Sequence, residues 1–147
     1  SLISSTIFGG KGDDTYSAAT TFSSATVYGD LGSDSIVVGG TAQILNSQVW
    51  GDNASSSSGG NDLINVNAGT TLISATTVLG GAGNDTITLT GGEVLSTTVN
   101  GNSGNDAITV NAATSLLSST VFGGQGADGK QPGCRCHAHR RAHRGRG

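Results

Sequence analysis

Short runs in which apolar and polar residues alternate recur along this chain. In each run the apolar residues stand two positions apart, which places them on one face of a β-strand. The clearest runs are DSIVV at 34–38, DLINV at 62–66, DTITL at 85–89 and DAITV at 106–110. A second set of runs carries one apolar residue that we expect to point inward, at Ile7, Val27, Val49, Val78, Val99 and Val121. The pattern therefore predicts two short strands in each repeat.

A glycine-rich turn separates the two runs in every repeat. Five regular copies read GGKGDD at 9–14, GDLGSD at 29–34, GGAGND at 80–85, GNSGND at 101–106 and GGQGAD at 123–128. A sixth copy is interrupted: Gly51 and Asp52 open it, Gly60 to Asp62 close it, and Ala54 to Gly59 form a six-residue insertion. The first glycines of the turns are 20, 22, 29, 21 and 22 residues apart, and removal of the insertion brings 29 to 23. A fixed period near 22 residues is typical of a solenoid, whose repeats bury their apolar faces only by stacking.

We therefore expect an all-β fold, a parallel β-helix or β-roll solenoid with about 22 residues and two short strands per coil. The second turn of each coil is predicted at a corner of small residues, NAGT at 67–70, TGGE at 90–93 or NAAT at 111–114. Small residues also stand two places before the inward valine, at Ala25, Ser47, Thr76, Thr97 and Ser119. Such a core is thin, so apolar burial at roughly 25 cal/mol per Å² is not expected to offset chain entropy alone.

Acidic side chains are concentrated in the glycine turns. Nine of the ten lie there, at Asp13, Asp14, Asp30, Asp34, Asp52, Asp62, Asp85, Asp106 and Asp128. Glu93 lies elsewhere, and Lys11 is the one basic residue among residues 1–128, which leaves that region a net charge of −9. Neighbouring carboxylates stacked about 4.8 Å apart would repel by about 3.5 kcal/mol at an effective dielectric constant of about 20. A bound cation is the natural counter-charge.

The donor atoms in these turns favour calcium. Hard cations take carboxylate and carbonyl oxygens, about six to eight of them for Ca²⁺, and the repeats contain no cysteine or histidine to favour zinc. The predicted carboxylate ligands are Asp14, Asp34, Asp62, Asp85, Asp106 and Asp128. The residues expected to shape the loops and aim their carbonyls inward are Gly10, Gly12, Asp30, Gly32, Gly81, Gly83, Asn102, Gly104, Gly124 and Gly126. We expect each site to be shared by two adjacent coils, so six turns allow at most five sites.

The strings GGAGND-T-I-T, GNSGND-A-I-T and GGKGDD-T-Y-S resemble the GGxGxDxUx nonapeptide of RTX, or hemolysin-type, repeat proteins. The resemblance covers residues 1–128 and implies a calcium-bound parallel β-roll in a secreted or cell-surface bacterial protein. The chain departs from the commonest RTX form because it has one nonapeptide per coil. In this respect it is similar to the calcium-bound β-helices of repetitive bacterial adhesins, one of which binds ice. We therefore expect calcium turns on one edge of the solenoid.

Two outward columns have alternative interpretations. The residues that precede the first glycine of each turn are Phe8, Tyr28, Trp50, Leu79, Asn100 and Phe122. We expect the aromatic ones to form a cross-strand ladder, and stacking on sugar rings is the alternative. Two places earlier stand Thr6, Thr26, Gln48, Thr77, Thr98 and Thr120. These are ordinary exposed strand residues, or else a flat array that orders water on ice.

Residues 129–147 differ from the rest of the chain. This tail holds both cysteines, all three histidines and six of the seven basic residues. Cys134, Cys136, His137 and His139 could ligate a soft metal, and the arginines could hold nucleic acid or an acidic glycan. The spacing fits no zinc pattern, however, and we do not expect a nucleic-acid partner. The composition indicates a basic tail that is disordered or comes from a shifted reading frame.

The sequence gives no support to catalysis, because histidine is confined to the tail and the carboxylates are committed to the turns. The chain starts inside a half-repeat and has no signal peptide and no apolar run long enough to cross a membrane. We expect a calcium-binding structural segment of a larger adhesin or surface-layer protein, with calcium ions and neighbouring repeats as its partners. The alternatives are an accessory module of a secreted RTX enzyme, and a face that binds glycan or ice.

Overall fold

The computed structural model describes residues 1–19, 21–40, 43–53 and 59–132, and every regular element among them is a β-strand. The strands are β1 (Leu2–Ile3), β2 (Thr6–Lys11), β3 (Thr15–Ala18), β4 (Phe22–Ser23), β5 (Thr26–Leu31), β6 (Ser35–Gly39), β7 (Ile44–Leu45), β8 (Gln48–Trp50), β9 (Leu63–Asn67), β10 (Leu72–Ser74), β11 (Thr77–Ala82), β12 (Thr86–Leu95), β13 (Thr98–Ser103), β14 (Ala107–Leu117), β15 (Thr120–Phe122) and β16 (Gly129–Pro132).

The strands form two parallel sheets. Sheet B stacks six strands in the order β15-β13-β11-β8-β5-β2. Sheet A contains the other ten, and its long strand β12 pairs with β9 through its first half and with β10 through its second half. Each coil passes along sheet B, through the glycine turn, along sheet A and back to sheet B of the next coil. The predicted parallel β-solenoid, with a spacing near 22 residues, is confirmed.

Equivalent residues of successive coils stand directly opposite one another. Val49 pairs with Val27 on one side and with Val78 on the other. The predicted inward columns of both sheets are buried in the middle of the stack, as Ile64, Ile87 and Val78 illustrate. Ile7 and Val121, at the two ends of the sheet B column, are half-buried. A further buried column was not identified from the sequence and consists of Phe22, Ile44, Ile73 and Val94. With this column, each of these coils buries four large apolar side chains, and Phe22 is among the largest.

The second turn of the coil does not lie where the sequence predicted it for the fourth and fifth coils. Strands β12 and β14 continue through TGGE and NAAT, with only a register shift between Gly91 and Glu93. In the third coil NAGT does turn, at Gly69 with a φ of 61°. In every coil, the chain reverses direction at one residue in the left-handed conformation, with a φ between 47° and 50°. These residues are Ser4, Ser24, Asn46, Ala75, Ser96 and Ser118.

Buried hydroxyl groups hold this left-handed corner. The Ser47 Oγ donates to the Leu45 carbonyl at 2.7 Å, and the Thr97 Oγ1 donates to the Leu95 carbonyl at 3.0 Å. Each hydroxyl reaches across the left-handed residue to the carbonyl two positions before it. A left-handed conformation costs an ordinary residue about 1–2 kcal/mol, and such a bond returns about 0.5–1.5 kcal/mol. The small inward residues therefore stabilise the corner as well as fill the core.

Strand pairing extends beyond residue 128, where the sequence placed the end of the solenoid. Strand β16 pairs in parallel with β14, and Gly129 lies opposite Ala107. The rest of the tail, residues 133–147, lies outside the described residues, and so do residues 54–58 of the insertion.

Candidate metal centre

Positive φ angles make the glycine turns tight. We number the six positions of a turn from its first glycine. Position 2 of each regular turn has a positive φ, and so does position 4, where the values run from 103° at Gly12 to 142° at Gly126. Position 2 is glycine in three regular turns, but Asp30 and Asn102 also adopt it, with φ of 76° and 75°. Asp and Asn tolerate this region better than other side chains, so these two residues are placed there by backbone geometry.

The aspartates at position 6 form a ladder along the solenoid. One oxygen of each, Oδ1, accepts the backbone N–H of the position-6 residue in the preceding coil. The donor and acceptor pairs are Asp14 to Asp34 at 2.8 Å, Asp34 to Asp62 at 2.7 Å, Asp62 to Asp85 at 2.9 Å, Asp85 to Asp106 at 2.9 Å and Asp106 to Asp128 at 3.2 Å. These predicted ligands are therefore brought together, and each also joins two coils.

A second ladder at position 5 runs in the opposite direction. Here the side-chain oxygen accepts the backbone N–H of the following coil: Asn84 donates to Asn61 at 2.7 Å, and Asn105 donates to Asn84 at 2.8 Å. Ser33 and Asp13 continue the ladder towards the first coil. These bonds were not predicted from the sequence. An Asn–Asp pair ends three of the turns, and this recurrence could have indicated that the Asn side chains bond between coils.

The other oxygen of five position-6 aspartates has no partner within the described part of the chain. The Oδ2 atoms of Asp14, Asp34, Asp62, Asp85 and Asp106 are buried and accept no hydrogen bond from the described residues. The last four of these side chains are only 1–2% exposed. A buried carboxylate oxygen without a partner is costly, because the charge loses its hydration and gains nothing in return. The edge therefore carries a column of unsatisfied charge.

The first glycine of each turn leaves room beside these oxygens. A Cβ on Gly80 would collide with Asp85 Oδ2 and with the Gly101 carbonyl oxygen of the next coil. The same crowding occurs at Gly29, Gly51 and Gly101. None of these glycines needs a positive φ, so space and not backbone conformation requires glycine there. A carboxylate oxygen of one coil and a carbonyl oxygen of the next coil thus both lie close to the first glycine of a turn. The first glycines, whose carbonyls are candidate ligands, were not among the residues predicted for the site.

Burial shifts the ionisation of the ladder. Desolvation raises the pKa of Asp62 from 3.8 to about 7 and that of Asp85 to about 6. The backbone N–H that each accepts lowers the pKa, and neighbouring aspartates raise it further. Burial also raises the pKa of Asp34 and Asp106. Without a cation, Asp62 is therefore partly protonated near neutral pH.

The described residues contain no group of three or more His, Cys, Asp or Glu side chains that could hold a metal ion. A cation at this edge would need backbone carbonyls as well as carboxylates, which is what the crowded first glycines offer. Among the other predicted loop residues, Gly10 and Gly12 are open, whereas Gly32, Gly83, Gly104 and Gly126 lie against the backbone of the preceding coil. The soft-metal candidates Cys134, Cys136, His137 and His139 lie outside the described residues.

The outward aromatic residues form the predicted ladder in the first three coils. The rings of Phe8 and Tyr28 stack at 5.1 Å and 6°, and Trp50 meets Tyr28 edge-on at 5.4 Å. Leu79 and Asn100 interrupt the column before Phe122. The threonine column of sheet B is likewise in register, with Gln48 between Thr26 and Thr77.

Fold and site together define a class of protein, a parallel β-solenoid with a column of buried carboxylates along one edge. In each of the four most buried of these carboxylates, one oxygen accepts a backbone hydrogen bond and the other accepts none from the described residues. No family model, curated protein or solved structure matches the chain. The described residues form no helix that is long and apolar enough to cross a membrane.

Proposed function

We propose that this chain is a calcium-dependent structural solenoid, which serves as a rigid repeat segment of a secreted or cell-surface bacterial protein. The observation that carries the proposal is the column of five buried Oδ2 atoms without a partner. These oxygens lie in a region with ten acidic side chains and one lysine. A cation between adjacent turns would neutralise both the repulsion and the desolvation cost.

The donor chemistry supports calcium over other cations. The candidate ligands at the edge are oxygens, since the turns carry carboxylates, backbone carbonyls, amides and hydroxyls but no thiol or imidazole. For one site, the ligands would include Asp85 Oδ2 and the Gly101 carbonyl, and the positive φ at Gly81 and Gly83 would orient further carbonyls. Bound calcium would supply charge neutralisation and cross-linking of neighbouring coils.

A single calcium site is expected to add little to the free energy of unfolding, so calcium can control folding only if several sites are filled. Extracellular modules bind calcium with a Kd of about 10⁻³ to 10⁻⁴ M. At about millimolar calcium, each site then stabilises the fold by about 0.4–1.4 kcal/mol. Several sites together match a substantial part of the stability of a small domain, which is about 5–15 kcal/mol. Calcium outside the cell would thus favour folding of the whole stack.

Circular dichroism during calcium titration tests the proposal. We expect a weaker β signal and a lower melting temperature in chelator, a gain in both as calcium is added, and a smaller response to magnesium, which requires a more rigid octahedral shell. Asp85→Asn should weaken the calcium response, whereas Glu93→Gln, which removes an exposed acid outside the turns, should leave it unchanged. A spectrum and a melting temperature that chelator does not change would overturn the proposal.

A further inference from the structure

Asp52 occupies an unusual place in the interrupted turn. It stands at position 2, where every regular turn has a positive φ, but Asp52 does not adopt that conformation. Its side chain is turned inward and is 2% exposed. The carboxylate lies between Gly59 of its own coil and Gly81 of the next, because a Cβ on either glycine would collide with it.

The Asp52 side chain replaces a backbone carbonyl. In a regular pair of coils the N–H at position 3 bonds to the position-2 carbonyl of the preceding coil, as Gln125 does to Asn102 at 2.6 Å. At the interrupted coil the equivalent N–H, that of Ala82, donates to Asp52 Oδ2 at 2.7 Å. A neutral acceptor has thus been exchanged for a charged one. Burial raises the pKa of Asp52, and the Gly60 N–H also interacts with the carboxylate and lowers that pKa, but Oδ1 accepts no hydrogen bond from the described residues.

The second Asp52 oxygen has no partner among the residues that the structure describes. Asp52 Oδ1 is buried without a hydrogen bond from them, and the same holds for Asp62 Oδ2 and Asp85 Oδ2. Burial is the main cause of the raised pKa of Asp62 and Asp85, and the charge of Asp52 adds to it in both. Among the described turns, only this one buries two of its own carboxylates, since Asp13 is exposed and Asp30 is half-exposed.

We propose that Asp52 and Asp62 form a two-carboxylate cation site at the interrupted coil, with Asp52 Oδ1 as its added ligand. This site takes up a calcium-sized cation before the regular turns do, because the number of charged ligands and the rigidity of the site set affinity for such ions. The inference rests on the proposed function, since it assumes that the glycine edge binds cations. It gives the interrupted turn a second buried carboxylate, where a regular turn presents a backbone carbonyl.

Trp50 gives a local readout of this site. It is the one tryptophan of the chain and stands two residues before Asp52. Terbium is a calcium-sized ion that luminesces when a nearby excited tryptophan transfers energy to it, and the transfer falls steeply with distance. In the wild-type protein we expect tryptophan-excited terbium emission to saturate near one bound ion per chain, while calorimetry shows that uptake continues. Emission that rises in proportion to total uptake would overturn the inference.

A pair of matched variants tests the role of Asp52. Asp52→Asn removes the charge and keeps an acceptor for the Ala82 N–H. Glu93→Gln is the control, since it also removes one carboxylate charge but at an exposed position outside the glycine turns. We expect Asp52→Asn to raise the terbium concentration at half-maximal emission about tenfold and Glu93→Gln to change it less than twofold.

Asp52→Gly is a second variant in case Asp52→Asn does not fold. It places at position 2 the residue found there in Gly10, Gly81 and Gly124, and it should lose the early emission phase in the same way. If either folded variant keeps wild-type emission, the inference is wrong, while a calcium-dependent β signal would leave the proposed function standing. If the wild-type chain binds neither terbium nor calcium, both fall.

Discussion

Asp106 accepts the backbone N–H of Asp85 through Oδ1 at 2.9 Å, while its Oδ2 is buried and has no partner in the described ranges of the chain. One side chain thus has two separable functions. The first oxygen joins two coils through a neutral donor, and the second holds a charge that the described residues do not compensate. Substitutions that remove one function and keep the other can separate them.

Asp85→Ala and Asp85→Asn should differ in calcium-free buffer. Alanine removes the acceptor of the Asp62 N–H and leaves a buried donor unsatisfied, so the free energy of unfolding should fall by about 1–3 kcal/mol. Asparagine keeps that acceptor and removes the charge, so it should be neutral or stabilising. Urea unfolding of the two variants and the wild type checks this. Equal destabilisation by both variants would show that the hydrogen bond does not contribute.

The calcium-free protein should be more stable at pH 5 than at pH 8. The pKa of Asp62 is about 7 when folded against 3.8 as its ordinary value, and Asp85 shifts in the same direction. The folded state therefore binds more protons than the unfolded state between about pH 4 and pH 7, so stability falls as pH rises through that range. Melting curves followed by circular dichroism at the two pH values measure this.

Saturating calcium should reverse that pH dependence. A carboxylate must lose its proton to bind the ion, so lowering the pH from 8 to 5 weakens binding. With calcium present, the melting temperature should therefore fall towards pH 5. The same sign of pH dependence with and without calcium would contradict a role for these carboxylates in calcium binding.

Gly80→Ala should be strongly destabilising although its backbone conformation is ordinary. The added Cβ would collide with Asp85 Oδ2 and the Gly101 carbonyl, and overpacking of this kind costs about 1–3 kcal/mol. Gly129→Ala is the matched control, because the nearest atom to its Cβ would be the Asp106 carbonyl oxygen at 3.9 Å, an ordinary contact. Urea midpoints of both variants with and without calcium give the comparison.

Ala75→Asn should stabilise the solenoid by up to about 1 kcal/mol. Ala75 is exposed and has a φ of 48°, a region in which alanine is strained and asparagine is enriched. Asn46 already occupies the equivalent corner of the preceding coil with the same φ. Ala75→Val should be destabilising, since a β-branched residue is a poor fit there. Thermal unfolding of both variants decides whether the corner is under conformational strain.

Repetition made the fold predictable from the sequence. Once the turns are aligned, the two-residue alternation after each Asp fixes which side chains point inward, and Ile87 and Leu89 are indeed fully buried. The position of the glycine edge follows from the same alignment.

The second corner was not predictable in the same way. Segments such as TGGE have the composition of a turn, yet the neighbouring strands hold β12 extended through it. Four of the six true corners place serine in a left-handed conformation. Serine rarely adopts this conformation, so the sequence does not indicate a turn there. The conformation is stabilised by hydroxyl bonds across the corner and by pairing with adjacent coils, both of which exist only after stacking.

The sequence allowed us to predict which carboxylates form the candidate site, but not which hydrogen bonds they make. An aspartate at position 6 is visible in the sequence, but its bond to the preceding coil depends on a side-chain rotamer and on the exact stacking. Asp52 was placed in the turn without a role, because nothing in the sequence shows that its side chain is buried.

The opposed ladders at positions 5 and 6 give each coil two chemically different faces. One face presents the N–H of Asp85 and the amide oxygen of Asn84, and the other presents the carboxylate of Asp85 and the N–H of Asn84. An inverted coil would set donor against donor and acceptor against acceptor. The stack therefore has a polarity like that of a filament, and a coil of this kind can join another in only one orientation.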